Sequence, residues 1–104
     1  MIIYNVTANI EESIEQEWLQ WMRETHIPEV MKTNMFLEAK MSKVLVEEEM
    51  GGVTYSVQYI CESKSKLDEY QIKFAPELKS EYEKRYRGKF VAFRTLLEVI
   101  QEFK

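Results

Sequence analysis

The sequence predicts an α+β sandwich, with a four-stranded antiparallel sheet and two helices on one of its faces. Three observations predict it. Four segments alternate apolar and polar side chains with the period of two that marks a strand. Two longer segments carry apolar residues every three or four positions, the period of a helix lying on a core. The order of these segments is β-α-β-β-α-β, with the pair Gly51-Gly52 where the two middle strands would turn as a hairpin.

Ile2 to Ile10 forms the first strand, with Ile2, Tyr4, Val6, Ala8 and Ile10 on one face and Ile3, Asn5, Thr7 and Asn9 on the other. Ser13 to Lys32 reads as a helix whose stripe is Ile14, Trp18, Trp21, Met22 and Val30. Acidic residues load its N-terminal turns, where negative charge suits the helix dipole. Pro28 cannot donate to the carbonyl of Glu24, so the helix is expected to kink or end its first segment there. Phe36 to Glu48 is a second strand, charged enough to lie at a sheet edge. Leu37, Ala39, Met41 and Leu45 are expected to face inward, and Phe36, Glu38, Lys40 and Ser42 outward. Val53 to Cys61 is the third strand, with Val53, Tyr55, Val57, Tyr59 and Cys61 on the apolar side. Ser65 to Tyr86 is the second helix, opened by Ser65 and Asp68 as a variant capping box and split at Pro76. Phe90 to Ile100 is the last strand, with Val91, Phe93, Leu97 and Val99 expected to face the helices. This is the βαββαβ plan of a ferredoxin-like sandwich, expected to occupy residues 1–104 as one domain.

Composition narrows the function classes. The chain has 104 residues, 45% hydrophobic and 31% charged, with a net charge of −4. Phosphate backbones require a basic stripe, so nucleic acid is not an expected partner. No apolar run approaches the ~20 residues of a membrane span, and the N-terminus lacks the basic and apolar regions of a signal peptide. A soluble, cytoplasmic protein is expected. Cys61 is the lone cysteine, so no internal disulfide forms.

The second face of the sheet is expected to carry Asn5, Thr7, Phe36, Glu38, Lys40, Ser42, Thr54, Ser56, Gln58, Phe90, Arg94 and Leu96. Large apolar side chains mixed with hydrogen-bonding ones mark an interface more than a solvated surface. A homodimer with its two sheets face to face would cover them and enclose a partly polar cavity. That makes Asn5, Gln58 and Arg94 candidate ligand-binding residues. Arg94 pairing with a glutamate across the interface is the competing reading.

His26 is the only histidine, four residues after Met22 and four before Val30. The topology brings the end of the first helix toward Tyr4, Tyr59 and Cys61. His26 is therefore a candidate general base or ligand-binding group, with Tyr59 as its catalytic partner. A structural histidine bonded to a loose carbonyl is the competing reading. Cys61 reads as a buried inert thiol, and Trp18, Trp21 and Met22 as core. The run Glu47-Glu48-Glu49 lacks the alternating oxygen ligands of a calcium loop and reads as a solvated hairpin end. No zinc spacing, phosphate loop or nucleophile elbow is present, so no metal and no cofactor is expected.

The stretches Trp18-Leu19-Gln20-Trp21-Met22 with His26-Ile27-Pro28, Val44 through Tyr59, and Lys89 through Thr95 resemble a bacterial family of small single-domain proteins known as a domain of unknown function. The layout also resembles the dimeric α/β-barrel superfamily. That superfamily holds cofactor-free monooxygenases, EthD-like proteins, haem-degrading enzymes and ligand-binding modules, some with a histidine near the end of the first helix. The resemblance implies a dimeric barrel. The likeness is one of fold and transfers no reaction. The sequence is read first as a small-molecule binder with its cavity formed by a homodimer. A cofactor-independent monooxygenase- or isomerase-like enzyme using His26 as base, or an interaction module without chemistry, are the alternatives.

Overall fold

Strand β1, Ile2–Ile10, lies inside the sheet, paired on one side with β3, Val53–Cys61, and on the other with β4, Phe90–Glu98. Strand β2, Glu38–Lys43, pairs only with β3 and forms an edge, as its charges predict. The resulting order is β2-β3-β1-β4, antiparallel throughout. The computed structural model describes residues 1–46 and 51–104, so the Glu47-Glu48-Glu49 run lies outside the described residues.

The first helical segment is α1, Glu15–Trp21, preceded by a 3-10 turn at Glu12–Ile14. A π turn at Met22–His26 joins it to α2, Ile27–Met31. The expected break at Pro28 is therefore a widened turn instead of an end. The Ile27 N–H reaches back five residues to the Met22 carbonyl. Pro28 has no N–H to offer, and the extra residue in the turn lets the helix run on past it.

Helix α3, Lys64–Lys73, is capped by Ser63, whose hydroxyl accepts from the Lys66 N–H at 3.2 Å. The cap lies two residues before the expected Ser65, and Asp68 pairs with Lys64 at 2.7 Å. Pro76 then opens α4, Ala75–Tyr86, as expected.

All the helices lie on one face of the sheet. That face buries Tyr4, Ala8 and Ile10 of β1 and Tyr55, Val57, Tyr59 and Cys61 of β3 against Trp18, Met22, Val30, Leu67 and Tyr82. Polar contacts tie helices together and to the sheet. The Trp18 Nε1–H donates to the Tyr82 hydroxyl at 2.6 Å, and the Tyr55 hydroxyl donates to Glu15 at 2.6 Å. No helix among the described residues is long and apolar enough to cross a membrane.

Two expectations about faces are corrected. In β4, Phe90, Ala92 and Arg94 stand opposite Ile10, Ala8 and Val6, so they face the helices. Val91, Phe93 and Leu97 face the open side, where they are 72%, 61% and 43% exposed. A one-residue change of register flips every side chain of a strand, and β4 is apolar on both faces. Its register is fixed by the turn before it. Gly88 takes a positive φ of 77°, the Lys89 N–H bonds the Tyr86 carbonyl, and the Lys89 carbonyl accepts from the Glu11 N–H at 3.0 Å. Phe90 is thereby set against the ring of Tyr82 at 4.5 Å.

The second correction concerns Phe36, expected on the open face. Strand β2 starts only at Glu38, so Phe36 escapes its alternation. It is buried among Tyr4, Tyr59 and Tyr70, at 4.8 to 6.0 Å between ring centroids. Leu37, expected inside, is exposed.

Candidate functional site

A cavity of about 30 Å³ lies between the centre of the sheet and the helices. That is room for about two waters. Its floor is Tyr4, Val6, Val57 and Tyr59, and its roof includes Trp18, Met22 and His26. Lys79, Tyr82 and Arg94 line it too, and the same three residues line a wider depression of about 300 Å³ on the β4 side. The inner cavity and this outer mouth therefore adjoin at Lys79, Tyr82 and Arg94.

His26 is placed by the π turn. It is 9% exposed, stacks on Trp21 at 4.8 Å, and meets Tyr82 edge-on at 5.2 Å. Its Nδ1 is buried with no hydrogen-bond partner among the described residues. Burial, with a smaller contribution from the positive charge of Arg94, lowers its pKa from 6.5 to about 4. The imidazole is thus neutral near pH 7, and its unpartnered Nδ1 accepts when the ring proton sits on Nε2. Burial pushes the Tyr59, Tyr70 and Tyr82 hydroxyls well above the usual tyrosine range, so all three stay protonated.

Arg94 lines the cavity from β4. Its Nε–H donates to the Tyr4 hydroxyl at 3.0 Å. Lys79, half-buried on α4, has its pKa lowered by burial and by the charge of Arg94. Among the described residues no carboxylate lies within 4.0 Å of either cation.

The structure brings His26, Tyr59 and Arg94 to one cavity. It does not bring Asn5 and Gln58 there. Those two are register partners on the open face of the sheet, beside Thr95. Asn5 is satisfied where it is: its Oδ1 accepts from Ser56 at 2.6 Å and its Nδ2 donates to Thr7 at 3.1 Å. The expected trio of Asn5, Gln58 and Arg94 is therefore divided by the sheet itself. Cys61 does not line the cavity either. It is fully buried, with its Sγ 3.3 Å from the carbonyl oxygens of Met35 and Ser63.

Sequence reasoning missed Lys79. Its signal was present: it stands three residues before Tyr82, on the inward stripe of α4. Among the described residues, no three His, Cys, Asp or Glu side chains group to hold a metal ion.

Residues 1–100 match the family model of a domain of unknown function, DUF4286. The chain belongs to this family. No curated protein matches this member of DUF4286. Solved structures similar to it share the fold at low identity. A dimeric ferredoxin-like protein from an uncultured marine organism is 17% identical with a TM-score of 0.75, covering 100% of this chain and 99% of its own. An ethyl tert-butyl ether D (EthD) family protein from Bacillus halodurans is 14% identical with a TM-score of 0.70, covering 96% and 100%. SnoaB, a cofactor-independent oxygenase from Streptomyces nogalater, is 10% identical with a TM-score of 0.67, covering 97% and 95%. The DUF4286 chain thus has the ferredoxin-like fold, and some of its structural neighbours are dimeric.

Proposed function

We propose that this protein binds a small organic molecule in the cavity between its sheet and its helices. His26 accepts a hydrogen bond from the ligand there. The observation that carries the proposal is the His26 Nδ1, buried beside a cavity without a partner. Leaving such an atom unpaired costs about 1–3 kcal/mol, and a ligand donor would recover that energy. The inner cavity is too small for an organic ligand alone, but with the adjoining mouth it reaches the size range of small-molecule sites.

The protein is also proposed to pair with a second copy through the open sheet face. Val91, Phe93 and Leu97 form an apolar strip there, beside the polar Asn5, Ser56 and Gln58. The dimeric ferredoxin-like neighbours support this. A cytoplasmic location, without nucleic acid or membrane as partner, completes the reading.

A second reading, a cofactor-independent enzyme with His26 as base and Tyr59 as partner, is favoured by the same nitrogen and by the likeness to SnoaB. Magnitude ranks it second. A base of pKa about 4 taking a proton from a phenol of ordinary pKa near 10 faces about 8 kcal/mol. Accepting a hydrogen bond carries no such cost.

Native mass spectrometry of the freshly purified protein tests the binding reading. One small molecule per protomer is expected, and it should be absent from Val6→Phe, which fills the cavity. A wild-type protein that is reproducibly bare, and takes up no phenol or carboxylate from a library, overturns it. Turnover that disappears in a folded His26→Ala variant would promote the enzymatic reading.

A further inference from the structure

We infer that Lys79 and Arg94 select a small aromatic monoanion, its negative group at the mouth and a hydroxyl donor directed inward to His26. This inference rests on the cavity-binding reading and names the ligand class for it. Three observations carry it.

The first is the convergence of two cations. Lys79 and Arg94 line both the inner cavity and the outer mouth, one from α4 and one from β4. Neither is paired with a carboxylate among the described residues. Like charges brought together are unfavourable, and an anion between them reverses the sign of the interaction. Arg94 spends one N–H on Tyr4 and keeps the remaining guanidinium donors for a carboxylate fork.

The second is the charge count. Glu83 also lines the mouth. One carboxylate against two cations leaves a single net positive charge, which fits a monoanion better than a phosphate dianion.

The third is the shape of the walls. Tyr82 lines both the cavity and the mouth and Phe90 lines the mouth, so an aromatic ring seated in the mouth, with only its hydroxyl entering the small cavity, gains stacking and edge contacts. Against the cavity stands the unpartnered His26 Nδ1, which accepts a hydrogen bond when the imidazole proton sits on Nε2. A ring with a carboxylate at one end and a hydroxyl at the other satisfies both ends at once.

The test compares 4-hydroxybenzoate with its methyl ester, which keeps the ring and hydroxyl and removes the charge. Affinities are measured by calorimetry at pH 7 and low salt, with tryptophan fluorescence reporting entry beside Trp18. The acid is expected to bind about tenfold more tightly than the ester, the size of one charge-assisted hydrogen bond. That ratio should fall toward one in Arg94→Gln and in Lys79→Gln. Equal affinities in the wild type, or a ratio unchanged in both variants, overturn the anion inference and leave the cavity reading in place. Binding of neither compound also overturns the anion inference, and the cavity reading is then decided by the native mass spectrometry.

Discussion

His26 is packed against Trp21 and Tyr82 with almost no contact with water, and its imidazole stays neutral down to about pH 4. In the unfolded chain it titrates near 6.5. As pH falls, the unfolded state takes up the proton first, so stability falls with it. The contribution of His26 is complete above pH 6.5 and is lost progressively between 6.5 and 4, by about 3 kcal/mol in all. Urea unfolding at pH 7.5, 6.5, 5.5 and 5.0 should show that slope. In His26→Gln the slope should be nearly absent over the same window. Glu15, its pKa lowered chiefly by the hydrogen bond from Tyr55, adds its own acid lability only below the ordinary carboxylate range. A variant as pH-sensitive as the wild type would place the titration elsewhere. His26 and Tyr59 were legible as inward residues because their helix and strand have one clearly apolar face. Arg94 was not, because an arginine in an apolar strand is ordinarily read as pointing to solvent or a partner.

At the scale of elements, the hairpin before β3 shows how backbone geometry outweighs composition. Gly51 and Gly52 both take positive φ, near 83° and 78°. They differ in what a side chain would meet. A Cβ at Gly51 would find open space, whereas at Gly52 it would lie 2.5 Å from the Asn9 Oδ1 and 2.8 Å from the Ile10 carbonyl oxygen. The carbonyl belongs to β1 and cannot swing away. Gly51→Ala should therefore cost about 1–2 kcal/mol for its left-handed backbone. Gly52→Ala should cost roughly 3 kcal/mol or more, since the clash adds to the strain. Calorimetric melting of the two variants separates these effects, and equal losses would refute the close approach. The glycine pair, Pro28 and Pro76 were all readable as punctuation. The π turn was not: a proline announces a missing donor, and only the surrounding packing decides between a break and a widened turn.

For the molecule as a whole, the open face of the sheet is the surface on which the proposed dimer rests. Its apolar strip on β4 lies beside β1 residues that hydrogen-bond among themselves, so one part of the face is satisfied and the other is not. The proposed dimer of facing sheets would cover the unsatisfied part. Phe93→Lys should leave the fold intact, because Phe93 points away from the helices, and should give a monomer in light scattering at micromolar concentration. Val91→Lys should act in the same direction. Unchanged masses in both variants would move the interface to another surface. The sheet also separates two roles that share strands: one face holds the candidate ligand cavity, the other the candidate partner surface.

The order of the elements, the edge position of β2, the inward faces of β1 and β3, and the placing of His26 and Tyr59 were all determined by the sequence alone. Each rests on a local period or on a residue whose backbone has few choices. The tertiary structure alone decided which face of β4 is covered, and with it that Arg94 joins His26 while Asn5 and Gln58 do not. It also decided that Phe36 is core and that Lys79 reaches the cavity. A period of two tells which side chains share a face of a strand. It cannot tell which face meets the helices when both are apolar. That depends on register, and in β4 register depends on a turn at Gly88 and a hydrogen bond to Glu11, far away along the chain.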